Sequence, residues 1–540
     1  MTSDQKKAIR DWRQTAWLVG VIVLAALLRF AGLRWGLPNH LHSYSYHPDE
    51  FLTLGAAFGS IYMGRSILPR FYNYPSLYIY LAALAIAMGM GYGIAANAGA
   101  VYLCARTVTA LMGVGAVVAT YWAGRELFGP MESLFAAVIL AVAPLHVQHS
   151  HFATVDVPST LFIAAALGFA CLILKRGNWR DYLTAGAMAG FAAGTKYNAA
   201  LVVLSVIAAH FLRDKRLRES IIDIKLWAAL GSCIAAFVIS TPACVLDTSA
   251  FINGITYEMH HTSQGHGLVF AGTGNGFLYT FTNSLWYGLG PFVAVLFLIA
   301  LAWAILKRDK RVLMLFAFAV PYYAMISLSQ VRFARYALPL FPVVALLCAW
   351  AMTGLGKALD RKLGPAMKLM WIADCIFVLL LTVLYTAQVV KPFILPDVRD
   401  RAAEWVMDNV PKGSSIAIPD LPWFYSPPLS KDFGFGAIPQ REEALDKTPY
   451  KLKLMSRENW TDADWVIISS YETDDAVRLR NNKSLSNNDR KQVDHTLRDM
   501  ALIQEHYRVR RSFPTRLQQR NLPHDMRYAS PSITIYQRVK

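Results

Sequence analysis

Several short signatures of soluble catalysis are missing from this chain. It has no P-loop GxxxxGK[ST], no GxSxG, no HExxH and no paired CxxC, which removes support for ATP-driven transport, serine hydrolysis and zincin chemistry. Cysteine is scarce. Cys104, Cys171, Cys233, Cys244, Cys348 and Cys375 all lie in or at the edges of apolar runs. The polar C-terminal region has none, so no disulfide framework is implied and the thiols read as packing residues. Acids are also scarce, 36 against 53 Lys and Arg, a net charge of +17. The basic excess sits in short loops between apolar runs. That is the positive-inside pattern of a membrane protein rather than a basic groove, so no nucleic-acid partner is implied. No long internal repeat is visible.

Apolar residues are abundant, 55% of the chain, with a mean hydropathy of +0.33. They collect into runs of roughly 18–22 residues, the length that crosses a hydrocarbon core of about 30 Å. The fold class is therefore a polytopic α-helical membrane protein. The N-terminal segment has a basic start and an apolar core like a signal peptide, but the run continues to Leu33 without a small-x-small cleavage site. It reads as a retained first span. KRGNWRD (175–181), RDKRLRES (213–220), KRDKR (307–311) and GKALDRKLGPAMK (356–368), together with Lys6, Lys7, Arg10 and Arg13, are placed in the cytoplasm. About eleven spans satisfy these loops, near 17–35, 105–123, 133–149, 157–174, 182–195, 198–212, 226–245, 287–306, 312–330, 335–355 and 369–390. The N-terminus is then cytoplasmic and the C-terminus extracytoplasmic. Segment 76–98 breaks the parity and is expected to be re-entrant or to lie along the outer interface.

This threading divides the chain into a membrane domain, 1–390, with an outer loop 36–75, and an extracytoplasmic domain, 391–540. The second part is expected to be a small α/β domain. DVRDRAAEWVMDNVPKG reads as an amphipathic helix stopped by Pro411 and Gly413. SSIAI, DWVIISS and SITIYQRV read as strands, and NNKSLSNNDRK (481–491) as a polar loop. Nine of the thirteen histidines border the outer face of the bundle: His40, His42, His47, His146, His149, His151, His260, His261 and His266. Asp49, Glu50, Asp156, Asp247 and Glu258 share that face. Ionisable groups at membrane depth are costly and tend to be functional.

The outer loop carries HSYSYHPDEF (42–51). Taken alone, Pro48 suits a first helical position with Asp49 and Glu50 in the first turn. The functional alternative is a general base that takes a proton from an attacking acceptor. Asp156, before Pro158 and Ser159, has the same two readings. Arg106 is either a snorkelling interfacial arginine or a planar donor to a lipid phosphate. Lys196 in AGTKYNAA, beside Tyr197, is costly in its apolar surroundings unless paired or used. Arg332 and Arg335 in VRFARYALPLFP are close to one helical turn apart and are expected to share a face. Glu258, His260, His261 and His266, with His47, form a candidate set for a divalent cation, though their spacing matches no fixed metal motif. No cofactor is otherwise implied.

The ordered set HPDE, YNYPSLYIYL, ARTVTALMG, APLHVQHSHFATVDVPSTLF, AGFAAGTKYNA and RFARYALPLFP, spread over about residues 15–355, resembles the membrane glycosyltransferases of the GT-C fold. The nearest group is that of the protein O-mannosyltransferases and aminoarabinose lipid A transferases. The resemblance implies inverting transfer of a sugar from a polyprenyl-phosphate donor to a glycan, lipid or protein acceptor outside the membrane, as in a bacterial inner membrane. It implies that Asp49, with Glu50 beside it, is the base and Asp156 the second acid. Arg106, Lys196 and Arg335 would hold the lipid phosphate. Metal use differs within the fold, and nothing in 391–540 names an acceptor. The competing class is a secondary transporter or flippase of a lipid-linked glycan, for which charges at the bilayer midplane and an inverted repeat would be expected.

Overall fold

In lipid every backbone N–H and C=O must find its partner inside the segment, so the apolar runs have to fold as helices. A computed structural model describes residues 3–213, 217–429, 444–515 and 522–539. Of residues 3–11 it describes the backbone alone, so the side chains of Lys6, Lys7 and Arg10, like Lys215 and Arg216, lie outside the described residues. Among the described residues six helices are long and apolar enough to cross a membrane: Trp12–Phe30, Ala98–Leu127, Asp156–Lys175, Lys310–Leu328, Ala334–Leu363 and one that begins at Pro365. Five shorter apolar helices accompany them: Leu77–Gly91, Pro130–Ala141, Tyr197–Phe211, Ile224–Ser240 and Pro291–Lys307.

Several expected spans are interrupted: 226–245 at Thr241, 287–306 at Gly290, and 133–149 most consequentially for the site. Segment 133–149 was predicted as a single span, but the helix stops at Ala141 and resumes over Pro144–His149. Proline at 144 has no N–H to donate and its ring clashes with the preceding turn. His146 and His149 lie on the resumed helix, and both are fully buried.

Small residues decide the closest helix crossing. Gly186, Gly190 and Gly194 recur every fourth residue of the helix Trp179–Thr195. A Cβ at these positions would lie 2.0 Å from the Ala229 carbonyl oxygen, 2.2 Å from that of Cys233 and 2.0 Å from Ser240 Oγ. The backbones of this helix and of Ile224–Ser240 therefore pack directly on one another, as small-residue stripes allow in membranes. The C-cap of this helix is Lys196, two residues beyond the last of these glycines.

The tail carries a five-stranded mixed sheet of order β2-β1-β3-β5-β4, with β1 Ser415–Ile418, β2 Lys451–Leu454, β3 Trp465–Ser469, β4 Tyr507–Phe513 and β5 Ile533–Arg538. β1 runs parallel to β2 and β3, and β5 antiparallel to β3 and β4. The predicted strands are β1, β3 and β5. The other two, KLKL and YRVRRSF, are the sheet edges, and their Lys and Arg residues suit an edge that must not pair further. The amphipathic helix is Val398–Asn409. The polar loop is shorter than expected, because Ser486 accepts from the Asp489 N–H and starts a helix, Asn487–His506.

No break in packing marks residue 390. Trp35, Tyr46 and Phe152 share one apolar cluster with Phe393, Val398, Ile416 and Ile533. Trp35 Nε1 donates to Asp397 Oδ2 at 2.9 Å, and the Tyr46 hydroxyl donates to Asp400. Arg399, fully buried, forms a bidentate pair with Asp397 at 2.7 Å and lies 3.8 Å over the Tyr46 ring.

Overpacking the glycine crossing is expected to cost about 1–3 kcal/mol. Gly190→Leu should lower the thermal midpoint of the detergent-solubilised protein, measured by intrinsic fluorescence. An unchanged midpoint would contradict the backbone-to-backbone crossing.

Candidate active site

The adjacent acids of HPDE part company at the start of a helix. Asp49 is the N-cap residue of Glu50–Leu54, yet its side chain makes no capping bond. Glu50 enters the first turn and points inward. Consecutive helical residues differ by about 100° in direction, so one acid can be interior while its neighbour faces an opening. Side-chain exposure is 21% for Asp49, 0% for Glu50 and 5% for Asp156. A general base must touch the acceptor, and Asp49 is the acid of the three with substantial accessible surface.

Glu50 is saturated. Its Oε1 accepts from Arg106 Nε at 2.7 Å and from the Ala153 N–H at 2.7 Å. Its Oε2 accepts from Arg106 Nη2 at 2.7 Å and from the Ser45 hydroxyl. Arg106 is saturated too. Its Nη1 donates to the carbonyls of Leu33 at 3.0 Å and Trp35 at 2.5 Å, and Nη2 also donates to Ser45 Oγ at 3.0 Å. All four acceptor sites of the carboxylate and all five donors of the guanidinium are used. In this geometry neither Glu50 nor Arg106 has a polar atom left over for an acceptor or a lipid phosphate. The pair ties the end of the first span, the HPDE loop, the helix Ala98–Leu127 and the loop after His149 to one point.

The remaining charges form a second cluster beside it. Arg335 Nη2 lies 2.9 Å from Asp49 Oδ2, and Arg335 Nε 4.0 Å from Asp156 Oδ2. Lys196 Nζ donates to Asp156 Oδ1 at 2.6 Å. Two cations and two carboxylates thus alternate, with Asp156 held between Lys196 and Arg335. Lys196 also sits 4.9 Å over the Tyr336 ring, and Arg335 4.1 Å over Phe333. Arg335 Nη1 is buried without a hydrogen-bond partner. Burial raises the Asp49 carboxyl above the ordinary aspartate value, with Arg335 opposing.

The other predicted site residues lie elsewhere or play other parts. Arg332 and Arg335 do not share a helical face, because the helix is preceded by a tight 3₁₀ stretch, Ala334–Leu340, and Arg332 lies before it. Arg332 donates instead to Ser329 O, Thr273 Oγ1 and Gly274 O. The Tyr197 hydroxyl donates to Tyr72 O at 2.8 Å. The candidate metal set is dispersed, and among the described residues no three His, Cys, Asp or Glu gather as metal ligands. His47 is buried with its ring centroid 4.1 Å from Phe152. Burial, then Arg335, pushes its pKa well down, and its Nδ1 accepts from the Asp49 N–H at 3.3 Å. Glu258 faces Asn73, and burial raises its carboxyl. His260 is exposed, while His261 and His266 meet edge to face at 5.4 Å.

Two residues of the tail were missed. Asp525, fully buried, accepts from the N–H groups of Ala334 at 3.1 Å and Arg335 at 2.9 Å. It caps the turn that aims Arg335. Tyr528 faces Arg335 and packs its ring 5.3 Å from His47. Nothing local in the sequence marks either one, since both act on residues about 190 positions upstream.

Removing one member of a buried, hydrogen-bonded ion pair leaves the other uncompensated, at a cost of about 3–5 kcal/mol. Arg106→Leu and Glu50→Gln should each lower the thermal midpoint strongly, and by more than Asp49→Asn, because Arg335 keeps a second carboxylate, Asp156, 4.0 Å away. Comparable midpoints for all three variants would contradict the division of roles.

A family model described as dolichyl-phosphate-mannose-protein mannosyltransferase matches residues 92–244. The chain is 31% identical over 134 residues to YycA of Bacillus subtilis (strain 168), a protein named as a mannosyltransferase. The match spans 24% of this chain and 18% of that protein, so the chain covers under a fifth of the curated relative it matches. Among solved structures it is similar to ArnT from Cupriavidus metallidurans bound to undecaprenyl phosphate, with a TM-score of 0.53 at 14% identity, covering 96% of this chain and 98% of that one. It is also similar to the archaeal oligosaccharyltransferase AglB from Archaeoglobus fulgidus in complex with an inhibitory peptide and a dolichol-phosphate. There the TM-score is 0.51 at 13% identity, over 98% of this chain and 89% of that one. The chain is thus an integral membrane protein with the fold of the GT-C glycosyltransferases, and over residues 92–244 it is similar to the mannosyltransferase family model.

Proposed function

We propose that this protein is an inverting glycosyltransferase that moves a hexosyl or pentosyl group from a polyprenyl-phosphate donor to an acceptor at the outer face of a bacterial inner membrane. The observation that carries the reading is Arg335, held between an accessible Asp49 and a shielded Asp156. The acceptor hydroxyl attacks the anomeric carbon and passes its proton to Asp49. The bond from that carbon to the donor phosphate breaks, and the electron pair leaves with the polyprenyl phosphate. The new charge on the phosphate needs preorganised cations, and Lys196 and Arg335 are the two at hand.

In the resting site Arg335 holds Asp49 in an ion pair and opposes the rise in basicity that burial brings. An arriving lipid phosphate competes for the guanidinium. Once it draws Arg335 away, burial raises the basicity of Asp49 where the acceptor arrives. Asp156 remains as the post that keeps Lys196 and Arg335 in register. Undecaprenyl and dolichyl phosphates, bound by the solved relatives, are the donor carriers this reading favours.

The topology that goes with it has eleven crossings, a cytoplasmic N-terminus and an extracytoplasmic domain at 391–540. Its support is the set of basic loops between the apolar runs, which charge bias keeps in the cytoplasm. The segment with the helix Leu77–Gly91 is placed along the interface or as a re-entrant piece, because counting it as a crossing would carry the later basic loops to the other side.

With purified protein, radiolabelled polyprenyl-phosphate sugars and candidate acceptors, Asp49→Asn should reduce turnover by roughly 10²–10⁴-fold. The base must be ionised, so its pKa lying above the ordinary 3.8 means kcat/KM of the wild type should fall on acidification with a midpoint above that value. Turnover that survives unchanged in Asp49→Asn would rule out Asp49 as the base.

A further inference from the structure

The tail sheet has an open crevice at a place where α/β sheets commonly bind ligands. The chain passes from β1 to β2 on one side, then crosses to β3 on the other. Between β1 and β3 the connections lead away in opposite directions, and such switch points leave a crevice beyond the carboxyl ends of the strands. A cavity of about 780 Å³ lies there. Pro419 and Asp420 follow β1, Met455 and Ser456 follow β2, and Tyr471 follows β3, and all of them line it. Its volume falls in the roughly 300–1,000 Å³ range of small-ligand sites.

The lining is aromatic and acidic. Trp423, Tyr425 and Tyr471 are half-buried, and the two tyrosine rings lie 5.8 Å apart and 7° from parallel. Glu472, Asp475 and Asp499 add carboxyl groups, and Gln492 and Thr496 add polar ones. Burial pushes Glu472 up to about 8, so near neutral pH it donates as well as accepts. Flat rings suit the C–H face of a pyranose, and carboxyl, amide and hydroxyl groups suit its hydroxyls. The wall contains more acids than cations, which disfavours a phosphorylated or otherwise anionic ligand. It takes no residue from a span, which disfavours a membrane lipid.

The crevice shares a wall with the reaction centre. The Tyr471 hydroxyl donates to His524 O at 2.8 Å. Asp525, the next residue, holds the Arg335 N–H. Phe424 packs 5.1 Å from Tyr528, which packs against His47. His524 also lines a neighbouring cavity of about 950 Å³ between the tail and residues 269–287, and its Nδ1 is buried with no partner.

We propose that this crevice binds a neutral glycan and presents it as the acceptor. The proposal rests on the glycosyltransferase reading above. The acceptor class then follows from the tail, which brings its ligand to Arg335 and Asp49 along one aromatic wall.

The test is binding by full-length protein in nanodiscs without donor. The probes are neutral gluco-, manno- and galacto-tetrasaccharides, a tetragalacturonate and a proline-rich peptide, with calorimetric readout. A neutral tetrasaccharide should bind the wild type and Asp49→Asn equally. Trp423→Ala should weaken it by about tenfold or more. Asp420→Ala, an exposed change, serves if Trp423→Ala does not fold, and should weaken binding in the same direction. Glycan binding by Asp49→Asn, with no transfer by the wild type from any donor, supports the crevice and defeats the transfer reading. Transfer to a peptide or lipid with no neutral-glycan binding overturns the crevice and leaves the transfer reading standing. Preferential binding of the peptide or of tetragalacturonate also overturns it, as does glycan affinity unchanged in both variants.

Discussion

The saturated pair of Glu50 and Arg106 is the interaction on which the site depends. Two unit charges with no exposed surface are tolerable only because every lone pair and every N–H is matched. The partners come from five places in the chain: Leu33 and Trp35, Ser45, Glu50, Arg106 and Ala153. Fixing Glu50 fixes Asp49, its neighbour. Fixing Ala153 fixes the loop that delivers Asp156 three residues later. The acids that face the cations are thus positioned by a polar network whose own hydrogen bonds are all taken.

Around this anchor the other supports converge on two cations. The glycine stripe brings the helix Trp179–Thr195 close enough to its neighbour to set Lys196 at Asp156. Asp525, from the far end of the chain, caps the turn that carries Arg335. The tail is tied to the outer loop through Trp35, Tyr46, Asp397 and Arg399, so membrane part and tail share the wall of the site. Alternating charges in a largely buried cluster make a site that a phosphate can enter by exchanging one partner for another, without bringing a bare charge into an apolar space.

Much of this was legible in the sequence, and the reasons for the rest are physical. Basic loops and apolar run lengths placed Asp49, Asp156, Lys196 and Arg335 on one side of the bundle, and the structure brings these four together. Which of two adjacent acids faces an opening is decided by helical phase, and HPDE does not show where the helix begins. Pro48 lies just before it rather than at its first position. Arg106 as ligand and Arg106 as structural partner look alike in sequence, because its mate lies 56 residues away. Pro144 did carry a local signal for the break in 133–149, one that a reading by run length alone overrides. Asp525 and Tyr528 had no local signal at all.

The central claim is that a donor phosphate takes Arg335 from Asp49. A cryo-electron microscopy structure of the protein with undecaprenyl phosphate tests it most directly. The account requires the phosphate within hydrogen-bonding distance of Arg335 and Lys196, with the Arg335–Asp49 contact opened beyond 4.0 Å, the present Arg335–Asp156 separation. A phosphate bound elsewhere, with Arg335 still 2.9 Å from Asp49, would contradict it.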